Sequence, residues 1–245
     1  MSIIKILSVI ILNVLAFTVS GQNILIRPWT GIGTYAMSDL KSIQKELQNM
    51  NDIPLKGTDN YPPFICFGFD IIPTLTKNIG VGITSSYHST GARNHYADYS
   101  GSLTEDFLVN DLNLGIDGIF TKIISKNLLL SGEIKSGIKF TKLQSNSSLI
   151  LFEQTETENQ SFKSESWWIE PQINIEKQLI KNIYVYLFLG YEFNTKGTLF
   201  LTSNHDLYLQ INNSKASANW SGLRTGIGIS LKIRTKKPES NDAGL

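Results

Sequence analysis

Residues able to act as nucleophiles, general bases or metal ligands are few in this 245-residue chain. The three histidines and the single cysteine are His88, His95, His205 and Cys66. A Ser–His hydrolase would pair His88 with Ser85 or Ser86 and need a carboxylate to orient the imidazole, yet no acidic residue is identifiable for that role by spacing. No His/Cys cluster has the spacing of a zinc site. We therefore assign no catalytic, cofactor-binding or metal-binding residue and expect no enzyme activity.

The elements that must position these residues show a period of two. In Asn182–Asn194 the side chains of Ile183, Val185, Leu187 and Leu189 share one face, because alternate residues of a strand point to opposite faces. Eight such segments recur, which predicts about eight strands: Ile26–Tyr35, Ile65–Ile71, Ile79–His88, Asp111–Phe120, Leu128–Thr141, Trp167–Glu176, Asn182–Asn194 and Gly222–Arg234.

The two faces of these segments differ in chemistry. One is aliphatic, and the other carries Asp70, Asp117, Glu133, Lys135, Lys139, Glu170, Glu176, Glu192, Arg224 and Lys232. Cys66, Ser86 and His88 share the charged face, whereas Ser85 lies on the aliphatic one. In a soluble barrel the aliphatic face would point inward; in a membrane barrel it would meet lipid and the charged face would fill the lumen with ion pairs. Strand pattern alone leaves both arrangements open.

The connections favour the membrane arrangement because they alternate in length. The short ones are 72–78, 121–126 and 177–181, and the long ones are approximately 36–63, 89–110, 143–166 and 195–219. Outer-membrane barrels have short periplasmic turns and long extracellular loops. An even strand number places both ends of the barrel on the periplasmic side.

The N-terminus predicts export. After Lys5, residues 6–19 are apolar apart from Ser8, Asn13 and Thr18, which is typical of a signal peptide, and cleavage is expected after Gly21, with Ser20 as the alternative. The whole chain has 22 Lys+Arg and 21 Asp+Glu, so no charge excess points to nucleic acid as a partner.

Two further features concern the predicted loops. Residues Ser38–Met50 read as a helix, with Ser38 as N-cap and a stripe of Leu40, Ile43, Leu47 and Met50. We expect this helix to pack on neighbouring loops, with partner docking or covering of the barrel mouth as the alternatives. Aromatic residues near the strand ends suggest an interfacial girdle: Trp29, Tyr35, Tyr87, Trp167, Trp168, Tyr191 and Trp220.

Residues 22–234 resemble the small outer-membrane β-barrel proteins of Gram-negative bacteria, the OmpA/OmpX-like or porin-family set. The resemblance rests on the export signal, the loop asymmetry and glycine-rich inner faces such as Gly226-Ile227-Gly228-Ile229-Ser230. It implies a closed antiparallel transmembrane β-barrel in the cell outer membrane, with membrane lipid and the barrel-assembly machinery as partners. Such proteins commonly end on an aromatic residue, whereas here the last strand ends Leu231-Lys232-Ile233-Arg234 and a polar tail, 235–245, follows.

We expect the long loops to carry the function, through surface contact, binding of an extracellular ligand or envelope integrity. Eight strands enclose a space just wide enough for side chains, so a salt-bridged plug is favoured over an open pore. The alternatives are a narrow diffusion channel, a lipid A-modifying enzyme using His88, and a soluble ligand-binding barrel.

Overall fold

The computed structural model describes residues 23–50, 54–152 and 154–234. The expected signal peptide, 1–21, and the C-terminal tail, 235–245, lie outside these residues. The described chain contains one helix, α1 (Ser38–Met50), and eight principal strands. The strands are β1 (Asn23–Gly33), β2 (Phe64–Pro73), β3 (Ile79–Ala97), β4 (Gly101–Ser125), β5 (Leu128–Leu151), β6 (Gln154–Ile180), β7 (Ile183–Asn194) and β8 (Gly222–Arg234).

The eight strands form a hydrogen-bonded ring. Each pairs antiparallel with its neighbours in the chain, and β1 also pairs with β8, from Asn23 opposite Arg234 to Gly33 opposite Arg224. Antiparallel strands need only tight turns, and the turns at one end are short: Ile180 lies opposite Ile183 across the β6–β7 connection. The predicted antiparallel barrel architecture of eight strands is confirmed. No helix in the described parts of the chain has the length and apolar character to cross a membrane.

Strands β3 to β6 are longer than the sequence suggested. Segments 89–110 and 143–166, expected as loops, continue the strands into two long hairpins that turn between Ala97 and Ser102 and between Leu151 and Gln154. We call the part of the molecule beyond the ring at this end the hairpin head; it also contains α1 and seven short strands. These are Lys56–Asn60, Gly197–Thr198, Phe200–Leu201, Asn204–Tyr208, Gln210–Ile211, Ser214–Lys215 and Ser217–Ala218.

The faces of the ring are arranged as in a membrane barrel. Aliphatic side chains point outward and are exposed, for example Ile173 at 62% and Leu187 at 59%. Charged side chains such as Asp117, Lys139 and Glu192 point inward and are fully buried. The aliphatic and charged faces predicted from the alternation are therefore the outer and inner faces of the ring. The apolar-inward arrangement of a soluble barrel is excluded.

Large aromatic rings share the lumen with these charges, and glycines on β8 make room for them. A Cβ atom at Gly228 would overlap the ring of Tyr186, and one at Gly226 would lie 2.7 Å from Cε1 of Phe188. Only residues without a side chain fit beneath the two rings.

The expected aromatic girdle is realised only in part. Trp167 and Tyr191 are exposed on the outer face, but four of the seven aromatic residues point inward and are buried, namely Trp29, Tyr35, Trp168 and Trp220. The period of two decides this for Trp168, since Trp167 and Trp168 are adjacent and must face opposite ways. Tyr35 and Trp220 lie outside the strands and are buried in an apolar cluster.

Helix α1 closes over the hairpin end of the ring. Leu40 is buried, and Ile43 and Leu47 pack against the same apolar cluster. Gln44 Nε2 donates to the carbonyl of Asp59 at 2.7 Å and to Asn94 Oδ1 at 3.1 Å, which ties the helix to the head. Ser38 is the first helical residue rather than the N-cap, and its hydroxyl donates to the Asp39 carboxylate.

Candidate functional site

The lumen near the short turns is filled by a group of charged residues that we call the Arg27 layer: Arg27, Asp70, Asp117, Glu133, Lys135 and Glu176. Arg27 donates to Glu133 at 2.7 Å and to Glu176 at 3.3 Å, and its guanidinium lies 4.1 Å from the centre of the Tyr186 ring. Lys135 Nζ donates to Asp70 Oδ2 at 2.9 Å. Arg27 and Lys135 pair with carboxylates on other strands, so the ion pairs of this layer cross the lumen and connect the strands around it.

A second group, the Lys139 layer, lies nearer the hairpins and consists of His88, Asp111, Lys139, Glu192 and Arg224. Lys139 Nζ donates to Asp111 and lies 2.8 Å from Glu192 Oε1, while Arg224 donates to Glu192 Oε2 at 3.1 Å. All five side chains are at most 1% exposed. Buried charges are tolerated when they are paired, and Lys139 and Arg224 pair with Asp111 and Glu192 in this layer.

Carboxylates outnumber cations inside the ring. Seven buried Asp and Glu residues face four buried Lys and Arg residues. Within the described residues, neither carboxylate oxygen of Asp117 has a hydrogen-bond partner. Asp70, Asp117 and Glu133 each offer an oxygen within 4.8 Å of the others, a spacing that could hold a cation. Sequence reasoning missed this cluster because its members come from three strands, β2, β4 and β5. Two of the three carboxylates are already paired, Asp70 with Lys135 and Glu133 with Arg27.

An apolar cap seals the lumen on the hairpin side of the Lys139 layer. It comprises Tyr35, Met37, Leu40, Tyr61, Ala92, Phe107, Val109, Leu143, Phe162, Leu199, Ala218 and Trp220. Trp220 is fully buried, donates from Nε1 to Thr141 Oγ1 at 2.9 Å and lies edge-on to Tyr35 at a centroid distance of 5.0 Å. The lumen is thus filled by ion pairs and covered by packed apolar side chains.

The hairpin head is exposed at its tips. Tyr99 is 99% exposed and Phe152 is 80% exposed, and the Phe152 amide donates to the Ser100 carbonyl at 3.0 Å, so the two tips adjoin. Asp98 fixes the first tip by accepting from the Ser100 amide at 2.8 Å and from the Gly101 amide at 3.2 Å. Hydrogen bonds from Ser100 lower the pKa of the Asp98 carboxyl.

The comparisons with known proteins bear on the fold. No protein-family model matches the sequence, and no curated protein is similar to it. Among solved structures, the chain is similar to Ail, the attachment invasion locus protein of Yersinia pestis, at 12% identity over 87% of this chain and 99% of that one, with a TM-score of 0.33. It is similar to the outer membrane protein OprG from Pseudomonas aeruginosa at 10% identity over 88% and 98%, with a TM-score of 0.47.

A third similar structure is a major outer membrane protein from Thermus thermophilus, at 8% identity over 85% of this chain and 99% of that one, with a TM-score of 0.46. Two of these three structures are of outer membrane proteins, and one is of an attachment invasion locus protein. At these identities the likeness concerns fold alone.

The structure places the residues considered for chemistry as follows. His88 Nδ1 lies 3.3 Å from Asp111 Oδ1, which is the acidic neighbour that spacing could not identify. The Ser86 hydroxyl accepts a hydrogen bond from Asn113 Nδ2 at 3.1 Å. Cys66 is fully buried on the inner face, as expected, while His95 and His205 lie exposed in the head.

Proposed function

We propose that the protein is a non-enzymatic outer-membrane β-barrel whose hairpin head stands at the cell surface and makes its functional contacts there. The observation that carries the proposal is the arrangement of the ring: apolar outside, charged and filled inside, and capped beneath the head. Its partners would be outer-membrane lipid, the barrel-assembly machinery that inserts it, and an extracellular ligand that binds the head.

The outer face of β6 supports membrane insertion. Its outward side chains between Glu165 and Lys177 are Trp167, Ile169, Pro171, Ile173 and Ile175. At about 3.3 Å per residue this stretch is roughly 40 Å long, and a tilt of about 40° reduces its height to roughly 30 Å. That height equals the thickness of the hydrocarbon core.

The filled lumen supports a role other than diffusion. Ion pairs of the Arg27 and Lys139 layers occupy the interior, and the apolar cap covers them. The same cap covers His88 on the side of the head, which supports a structural role for this residue rather than lipid A modification. In planar bilayers we expect the purified protein to give no sustained conductance; steady channel currents at neutral pH would contradict the plugged lumen.

Orientation is tested by labelling single cysteines on intact cells. Tyr99→Cys places a thiol at a hairpin tip, and Lys126→Cys places one in the exposed turn between β4 and β5 at the other end. We expect a membrane-impermeant maleimide to label Tyr99→Cys only, with the wild type as the blank because Cys66 is buried. Labelling of Lys126→Cys but not of Tyr99→Cys would show the opposite orientation. Recovery of the protein in the soluble fraction would overturn the membrane location.

A further inference from the structure

A cavity of about 290 Å³ lies in the hairpin head, between α1 and the inner face of the extended sheet. Helix α1 contributes Leu40, Ile43 and Leu47 to it. Ile43 and Leu47 are only half-buried, although they belong to the apolar stripe of the helix. The cavity is close to the lower limit of small-molecule sites, about 300 Å³.

The opposite wall comes from strands β4, β5 and β6. Phe107, Leu143 and Phe162 are buried at its base, and Tyr61 closes one side. Burial raises the pKa of the Tyr61 phenol, so this group is neutral. Three aromatic rings thus line a largely apolar space.

Two carboxylates complete the wall. Glu105 accepts from Asn94 Nδ2 at 3.3 Å, and Glu158 accepts from Gln160 Nε2 at 2.8 Å. Neither forms an ion pair among the described residues, and no Lys, Arg or His is among the residues that line the cavity. Among the described residues, the negative charge of this site is therefore left unbalanced.

From this charge and this lining we infer that the head binds a small organic ammonium ion, with its apolar body between α1 and Phe107 and its cationic group toward Glu105 and Glu158. Carboxylates and aromatic rings both attract ammonium groups, and an apolar cavity holds the hydrocarbon part. The inference rests on the proposed function, since it names the ligand class of the surface-exposed head.

The test uses the full mature chain in lipid nanodiscs and three probes of similar shape. They are 2-phenylethylamine, which is cationic, 2-phenylethanol, which is neutral, and 3-phenylpropanoate, which is anionic. In ligand-observed NMR titrations we expect the amine to bind roughly 5- to 10-fold more tightly than the alcohol, and the anion to bind most weakly.

Variants separate the charge of the cavity from its shape. Glu105→Gln combined with Glu158→Gln should remove the preference for the amine and keep binding of the alcohol. Ser145→Phe, on the cavity wall, should abolish binding of both. Glu165→Gln, on the outer face of β6, is the matched control and should bind as the wild type does.

Two results would overturn the inference: absence of saturable binding of the amine by the wild type, or an amine preference that persists in the double glutamine variant. The Tyr99→Cys labelling keeps the two proposals apart. If Tyr99→Cys is labelled on intact cells but the amine does not bind, only the proposed ligand class is refuted. If Tyr99→Cys is not labelled, the surface location is refuted whatever the titrations show.

Discussion

Replacing Arg27 by Met would leave the Glu176 carboxylate without an ion pair inside the ring, and Glu133 with Lys135 alone at 3.9 Å. Arg27 is fully buried and is bonded to both Glu133 and Glu176. Removing one partner of a buried ion pair costs about 3–5 kcal/mol, because the remaining charge stays desolvated. We therefore expect the folding equilibrium constant to fall by about 150- to 4,000-fold.

The matched control is Arg93→Met in the hairpin head. Arg93 donates to Asp106, but its side chain is 53% exposed. An exposed pair contributes at most about 1 kcal/mol, so this variant should unfold close to the wild-type urea midpoint. The assay is reversible urea unfolding in lipid vesicles, followed by tryptophan fluorescence and by the gel shift between boiled and unboiled samples.

A double variant separates lost ion pairing from lost packing. If the cost comes from uncompensated charge, adding Glu176→Gln to Arg27→Met should restore part of the stability. The reasoning would be refuted if Arg27→Met unfolded at the same urea concentration as Arg93→Met, since the lumen would then be wet enough to solvate single charges.

Two other predictions concern a glycine and a turn. Gly226→Val should destabilise the ring by about 1–3 kcal/mol, because its Cβ would overlap the Thr30 carbonyl oxygen and lie 2.7 Å from the Phe188 ring. Gly132→Ala, whose Cβ would meet nothing within 4 Å, should unfold like the wild type, and equal midpoints for the two variants would contradict the close packing. The Asp98 carboxylate stabilises its hairpin tip, and its pKa is lowered from 3.8 by Ser100. This contribution should persist above pH 3.8 and be lost only as the pH falls through the lower folded-state pKa, which the Ser100 amide chemical shift would report; a change centred above pH 3.8 would be inconsistent with it.

The sequence alone determined the faces of the ring. A strand must place alternate residues on opposite sides, so Ile173 and Asn174 could be assigned to different faces without a structure. The same rule placed Cys66 and His88 inward. Local periodicity is enough for such assignments because it depends only on neighbouring residues.

The extent of the hairpins was not predictable in the same way. Between Thr155 and Gln160 both faces of β6 are polar and exposed, so no alternation marks the segment as a strand. Its conformation is stabilised by backbone pairing with residues 145–150 of β5, which is a tertiary property.

The tertiary structure also decided which charges pair and where a ligand could bind. Arg27 and Glu133 are 106 residues apart, and the cavity joins Leu40 to Phe107 and Phe162 from three separate elements. Periodicity shows that such side chains point inward but not which of them meet, because meeting depends on strand register and ring closure. The residues of the barrel wall could therefore be read from the sequence, while the plug and the cavity exist only once the ring has closed.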